Sequence, residues 1–288
     1  MPSGFDVVVL TVKAYAVATA LADLRPLVGN TGLILAAQNG VGSDPLLLDA
    51  FGADRVVALT TTSSLDMPAP GVVRCHNSSG GLAFSYFNPP AVPLDLPSLF
   101  AGTRTHLREV PRPDSLRWSK LALNSVAAAL CAILDADPAE IASHPRLLEI
   151  ERLALQETRA VLKAAGIRPV DLPGYPVRAL LALARLPAPL FRTAVGRSIR
   201  QGRGSRSPGL RRDVQAGGPS EIDYLNGAVV RMGREVGVGT PINECLYDLV
   251  RSVETSPDDR ERLAGRATLL ASTVLDRRPS SRPAVRAT

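Results

Sequence analysis

The chain is short of lysine, histidine, cysteine and aromatic residues, and each shortage narrows what it can do. Its three cysteines, Cys75, Cys131 and Cys245, are too scattered for a disulfide framework or a thiolate metal site, which fits a reducing cytosol. The three histidines (His76, His106, His144) are equally far apart and show no metal-ligand spacing. Aromatics make up 4% of the residues, so Leu, Val, Ala and Ile must fill the cores. That scarcity also weighs against nucleic-acid binding. The net charge of +6 comes almost wholly from arginines spread along the chain, without interleaved stacking residues or a binding motif. Long apolar runs are missing too. The opening MPSGFDVVVLTVKAY has neither the basic region nor the cleavage site of a secretory signal. The most apolar later stretch, PVRALLALARLPAPLFRTAV, carries Arg178, Arg185, Arg192 and prolines, and does not read as a membrane span. Its arginines share one face of an amphipathic helix packed on its own domain.

What is present is a folded chain of ordinary makeup, 45% hydrophobic and 21% charged, with 288 residues available for two cores. Asp6–Val12 (DVVVLTV) and Gly32–Ala37 (GLILAA) are nearly continuous apolar runs, the pattern of parallel strands buried on both faces. A helical pattern from Ala14 to Leu27 separates them, and a helix from Pro45 to Phe51 leads to a third strand, Arg55–Thr61. Strand–helix repeats of this length imply right-handed crossovers in a parallel sheet. Gly71–Phe87 reads as a hairpin turning at Asn77–Gly81. From Asp114 the period becomes helical, with a long helix to about Asp135. Further helices are expected near Pro138–Glu140, Pro145–Ala165, Tyr175–Arg185, Ser220–Val236 and Pro241–Val253. The sequence thus predicts an α/β domain over 1–112, a helical domain over 113–255, and a helix and disordered tail over 256–288.

Ligands of open α/β sheets sit beyond the carboxyl ends of the strands. Lys13 follows the first strand there, and Asn39, in the Gln38–Gly42 turn, follows the second. Both also read as ordinary strand-end polar residues. Only three of the 33 basic side chains are lysines: Lys13, Lys120 and Lys163. An ammonium can give up a proton where a guanidinium cannot, so lysines kept in an arginine-rich chain draw notice. Asn124 lies four residues after Lys120, on the same helix face. Ser220 followed by Glu221 and Asp223 reads, on spacing alone, as a helix start that suits the helix dipole.

Four motifs in order, TVKAY, QNGVG, RWSKLALNS and SEIDYLNGAVVRMGREVGVGTPINECLYDLV, resemble those of ketopantoate reductases across residues 6 to 253. The resemblance implies NADPH-dependent reduction of 2-dehydropantoate to pantoate in pantothenate synthesis. It also implies a Rossmann-type parallel sheet, a helical C-terminal domain like that of 6-phosphogluconate dehydrogenases, and an active site in the cleft between them. Lys120 matches the catalytic lysine, Glu221 the carboxylate that holds the substrate hydroxyl, and Asn124 a substrate-binding asparagine. Lys13 and Asn39 match residues facing the nicotinamide and substrate. The expected partners are a small-molecule keto acid and a second copy of the chain in a homodimer, with no nucleic acid, membrane or metal.

The chain also departs from that family. It has no G-x-G-x-x-G loop after its first strand, so the sheet reads as N-terminally truncated, lacking roughly its first βαβ half. A late-assigned start is one explanation; a remnant unable to bind NADPH, acting only as an interaction protein, is the other. Ala128 stands where a second asparagine is common. A substrate-binding serine falls at about Gly209, with Ser205, Ser207, Arg203, Arg206 and Arg211 nearby as replacements. Both changes leave another small 2-keto acid open as substrate.

Overall fold

The computed structural model describes residues 4–77, 79–90, 95–103, 105–194 and 208–276. Two compact units emerge, neither continuous in sequence: Met1–Ser125 with Leu162–Ala182 and Asp223–Ala228, and Val126–Val161 with Leu183–Ile222 and Val229–Thr288. Residue 112 marks where strands give way to helices, but the units divide inside the long helix that follows. The expected tail from Arg277 and the arginines of 195–207 lie outside the described residues.

In the first unit, β1 (Phe5–Leu10), β2 (Val28–Ala36) and β3 (Val56–Thr61) run parallel. They are linked by α1 (Val17–Leu24), entered through a tight turn at Ala14–Ala16, and by α2 (Asp44–Phe51). The apolar runs form these strands because the sheet is covered on both faces. Ile34 and Ala36 of β2 pack with Leu10, Val17, Leu24 and Leu47 on one side. Leu33 and Leu35 pack with Val57, Leu59 and Phe84 on the other. Burying each large aliphatic side chain contributes about 1.5–3 kcal/mol before the entropic cost of ordering it.

The sheet is not wholly parallel. β4 (Leu65–Ala69) and β5 (Val72–Cys75) form a separate hairpin that turns at Pro70–Gly71 rather than at Asn77–Gly81. Gly71 takes a left-handed φ of 78°, which fits that turn. β6 (Gly81–Tyr86) instead joins the main sheet antiparallel to β3. After a short helix α3 (Leu96–Leu99), β7 (His106–Glu109) pairs parallel to β6, giving the order β1-β2-β3-β6-β7.

The long helix α4 (Pro113–Leu134) begins at a proline, whose missing N–H costs nothing at a helix start, with Asp114 in its first turn. The second unit holds the later turns of α4 with α5 (Pro138–Ser143), most of α6 (Pro145–Ala164), α8 (Gly209–Gln215), most of α9 (Asn226–Glu235), α10 (Pro241–Thr255), α11 (Pro257–Leu263) and α12 (Ala267–Leu275), while α7 (Val177–Leu183) falls almost wholly in the first. Two helices therefore stand where one was expected after residue 255. The predicted arginine-bearing helix is broken: α7 stops at Leu183, and Arg178 pairs with Asp171 at 2.6 Å. Ala-Arg-Leu-Pro at 184–187 accounts for the break, since Pro187 cannot donate to a helical ladder.

Helix α10 has no side-chain cap from its own Thr240. Glu157 of α6 supplies it, accepting from the Ile242 N–H at 2.8 Å, the Asn243 N–H at 2.9 Å and the Asn243 Nδ2 at 2.7 Å. Burial pushes the Glu157 pKa up, and those three donors pull it back. Glu157→Ala strands buried donors at a helix start, so we expect a loss of about 3 kcal/mol in urea-melt stability. Glu157→Gln, which keeps one acceptor, should lose clearly less.

Candidate active site

The carboxyl ends of the parallel strands are held together by two buried side chains, Gln38 and Arg117. Gln38, just past β2, donates its Nε2 to the Leu10 carbonyl at 2.8 Å and to the Val12 carbonyl at 3.4 Å. Two carbonyl neighbours fix which end of the amide is nitrogen. Its Oε1 is buried and has no hydrogen-bond partner among the described residues.

Arg117 lies in α4 and only 5% of its side chain is exposed. Its fork grips Asp44 at the start of α2, with Nε to Oδ2 at 2.9 Å and Nη2 to Oδ1 at 2.6 Å. The remaining donors reach the carbonyls of Gln38 at 2.8 Å, Leu59 at 3.0 Å and Ala36 at 2.9 Å. All five N–H groups of the guanidinium are thereby used. One side chain ties α4 to the ends of β2 and β3, to the loop after β2, and to α2.

Lys120 follows one turn later and is half-buried. Burial strips water from its ammonium and pulls its pKa down to about 8. Asn124, half-buried, follows on the same face. Lys13 is half-buried just beyond Val12, and Asn39 is exposed beside Gln38. The 38–42 loop is also tied to a distant segment, because the Val41 N–H donates to the Tyr224 carbonyl at 2.9 Å. Gly40 there has φ of 82°, and a Cβ on it would stand 2.3 Å from the Tyr224 oxygen, so only glycine fits.

Lys13, Asn39, Lys120 and Asn124 thus fall in one compact unit, on neighbouring stretches at the strand ends. Glu221 falls in the other; it is buried, 6% exposed, two residues before the chain re-enters the first unit at Asp223. The helix predicted from Ser220 is interrupted. Ile222–Tyr224 forms a tight turn, with the Ile222 N–H donating to the Ser220 Oγ at 3.3 Å, and α9 starts only at Asn226. Arg211 does not hang free either, since it bonds the carboxylates of Asp135 at 2.8 Å and Asp137 at 2.5 Å.

Two family models match this chain. The one described as ketopantoate reductase PanE/ApbA covers residues 2–89, and its C-terminal counterpart covers residues 114–254. The chain belongs to the ketopantoate reductase family. A 2-dehydropantoate 2-reductase of Pyrobaculum aerophilum is 30% identical over 249 residues, covering 86% of this chain and 76% of that protein. One of Halobacterium salinarum is 29% identical, covering 85% and 75%. Among solved structures, the ketopantoate reductase of Ralstonia eutropha aligns with a TM-score of 0.72 at 27% identity, over 90% of this chain and 78% of its own. A D-mandelate dehydrogenase with NADH and anilino(oxo)acetate aligns with a TM-score of 0.71 at 20% identity, over 90% and 79%, and shares the fold. As in those relatives, a Rossmann-type sheet precedes a helical C-terminal part. The ketopantoate reductase motif RWSKLALN is thus the opening of α4, with its arginine turned into the sheet.

Proposed function

We propose that this chain is a nicotinamide-dependent reductase of a small 2-keto acid, with 2-dehydropantoate as substrate and NADPH as reductant. The reading is carried by Lys120, a desolvated lysine with a pKa of about 8, set one turn from the side chain that ties α4 to the ends of the parallel strands. Its product, pantoate, would serve pantothenate synthesis, and the working form would be a cytoplasmic homodimer.

The residues present suit the nicotinamide end of the cofactor. Gln38 Oε1 is a buried acceptor without a partner among the described residues, and a carboxamide N–H would satisfy it. Asn39 follows it in sequence, and Lys13 follows Val12, whose carbonyl accepts from the Gln38 amide at 3.4 Å; both would border the ring and substrate. No G-x-G-x-x-G stretch is present in the sequence for the diphosphate.

When bound, the reduced nicotinamide supplies a hydride to the keto carbon. Lys120, as the ammonium, donates a hydrogen bond to the carbonyl oxygen and passes it a proton as the alcohol forms. The neutral amine then recovers a proton from water. Asn124 holds the substrate from the same helix face, and Glu221 accepts from the substrate hydroxyl.

The test is oxidation of NADPH by the purified chain with 2-dehydropantoate, alongside nucleotide binding followed by quenching of Trp118, its single tryptophan. Folded protein that binds no nicotinamide nucleotide and reduces no 2-keto acid would refute the reading and leave a non-catalytic interaction protein. Reduction of a different 2-keto acid would keep the chemistry and change the substrate. Ala128 and Gly209, where the family pattern has polar residues, would account for that second outcome, and NADH belongs in the same assay.

The pH dependence follows from Lys120. The ammonium is the proton donor, is fully present well below pH 8, and is lost as pH rises through about 8. The rate of keto-acid reduction should therefore be flat on the acid side of this limb and fall about tenfold per pH unit above it. A rate unchanged up to pH 10 would exclude Lys120 as the acid.

A further inference from the structure

Three candidate residues lie beside the buried Gln38–Arg117 pair or a partner of it: Asn39 follows Gln38, Lys120 is one helical turn from Arg117, and Lys13 follows Val12, whose carbonyl accepts from Gln38 at 3.4 Å. Gln38 links to Arg117 through its own carbonyl, and to the end of β1 through its side chain. Arg117 links in turn to the ends of β2 and β3 and to Asp44. We propose that Arg117, acting through Gln38 and Asp44, is a positioning residue that fixes Lys120 in register with the loop bearing Asn39 and the strand end bearing Lys13. The proposal rests on the reductase reading for its catalytic consequence, though its geometric part stands without it.

The chemistry of the pair argues for more than fold stability. A buried ion pair adds little net stability over well-packed apolar side chains, because both charges lose their water. An apolar residue at 117 would satisfy the sheet's need for burial but could hold none of the three carbonyls. A guanidinium holds three carbonyls and a carboxylate in one plane, and lysine cannot reproduce that fork. Such a rigid hub sets where the next turn of α4 places its side chains. Positions displaced by about 1 Å can cost a reaction about a hundredfold.

The test compares the whole chain with its Arg117→Lys and Asp44→Asn variants, the second weakening the grip on the guanidinium without touching a candidate substrate or cofactor residue. Isotope-labelled lysine makes the titration of Lys120 visible by NMR, since the chain has only two other lysines, Lys13 and Lys163, to be assigned. Both variants should move the Lys120 titration upward from about 8, as the ammonium gains water, and lower kcat about a hundredfold with little change in KM. Both variants melting at lower temperature, but with the Lys120 titration and kcat per folded molecule unchanged, would overturn the proposal and leave Arg117 a purely structural residue. If Arg117→Lys does not fold, Asp44→Asn decides alone by the same two readings. The lysine titration needs no turnover, so a wild-type chain without reductase activity would refute the functional reading while the positioning claim is still measured.

Discussion

Lys120→Met should reduce keto-acid turnover about a thousandfold while making the protein more stable at pH 7. The two effects have one cause. Folding withdraws water from the ammonium and lowers its pKa from 10.5 to about 8, so the charged form is disfavoured in the native state. Between about pH 8 and 10.5 the unfolded chain holds the proton and the folded chain has released it. Stability from this group therefore rises with pH across that window, and below about 8 its full cost is present. Removing the charge with a side chain of similar length should return on the order of 1–3 kcal/mol at pH 7, and almost none above pH 10.5. The thousandfold loss is the usual worth of a well-placed general acid. Urea melts at pH 7 and pH 10.5, with rates at pH 7, check both halves. A variant that loses activity and stability together would indicate that Lys120 is an ordinary packing residue.

Asp44→Ala should be among the most destabilising single changes in the first unit, at about 3–5 kcal/mol. Arg117 stays buried, and its charge then has only the carbonyls of Ala36, Gln38 and Leu59 around it. The carboxylate is lost from the first turn of α2 as well, where it complements the helix dipole. The double change Asp44→Ala with Arg117→Met should be less harmful than the single one, because no unpaired charge remains. A double-mutant cycle reads this directly, and additive losses would mean that the two side chains act independently.

Much of this arrangement is legible in the residues. The Val-rich and Leu-rich runs mark β1 to β3 because burial on both faces removes the polar alternation that would blur a strand. The start of α4 shows in Arg112-Pro113-Asp114-Ser115, and the rarity of lysine draws attention to Lys120. Other parts are hidden for physical reasons. Arg117 looks like one more solvated arginine in an arginine-rich chain, and its partner Asp44 is 73 residues away, so no local pattern joins them. β7 is only four residues long, and the pairing of β6 depends on a distant strand edge. Gly40 could be read only as a turn glycine, because the carbonyl that forbids a side chain there belongs to Tyr224. Glu221 looks like a dipole-complementing residue, and only the family motif suggests otherwise.

The first unit is assembled from three separated stretches, and this bears on how the protein is made. Thr62 bonds to the carbonyl of Pro173, 111 residues away, and Val41 to that of Tyr224. A ribosome adding about 5–20 residues per second finishes the sheet roughly six to twenty seconds before its last segment exists. Through that interval the 38–42 loop lacks the Tyr224 carbonyl that Val41 bonds to. Such long-range closure makes for slow folding and lengthens the time for which the nascent sheet is exposed to aggregation.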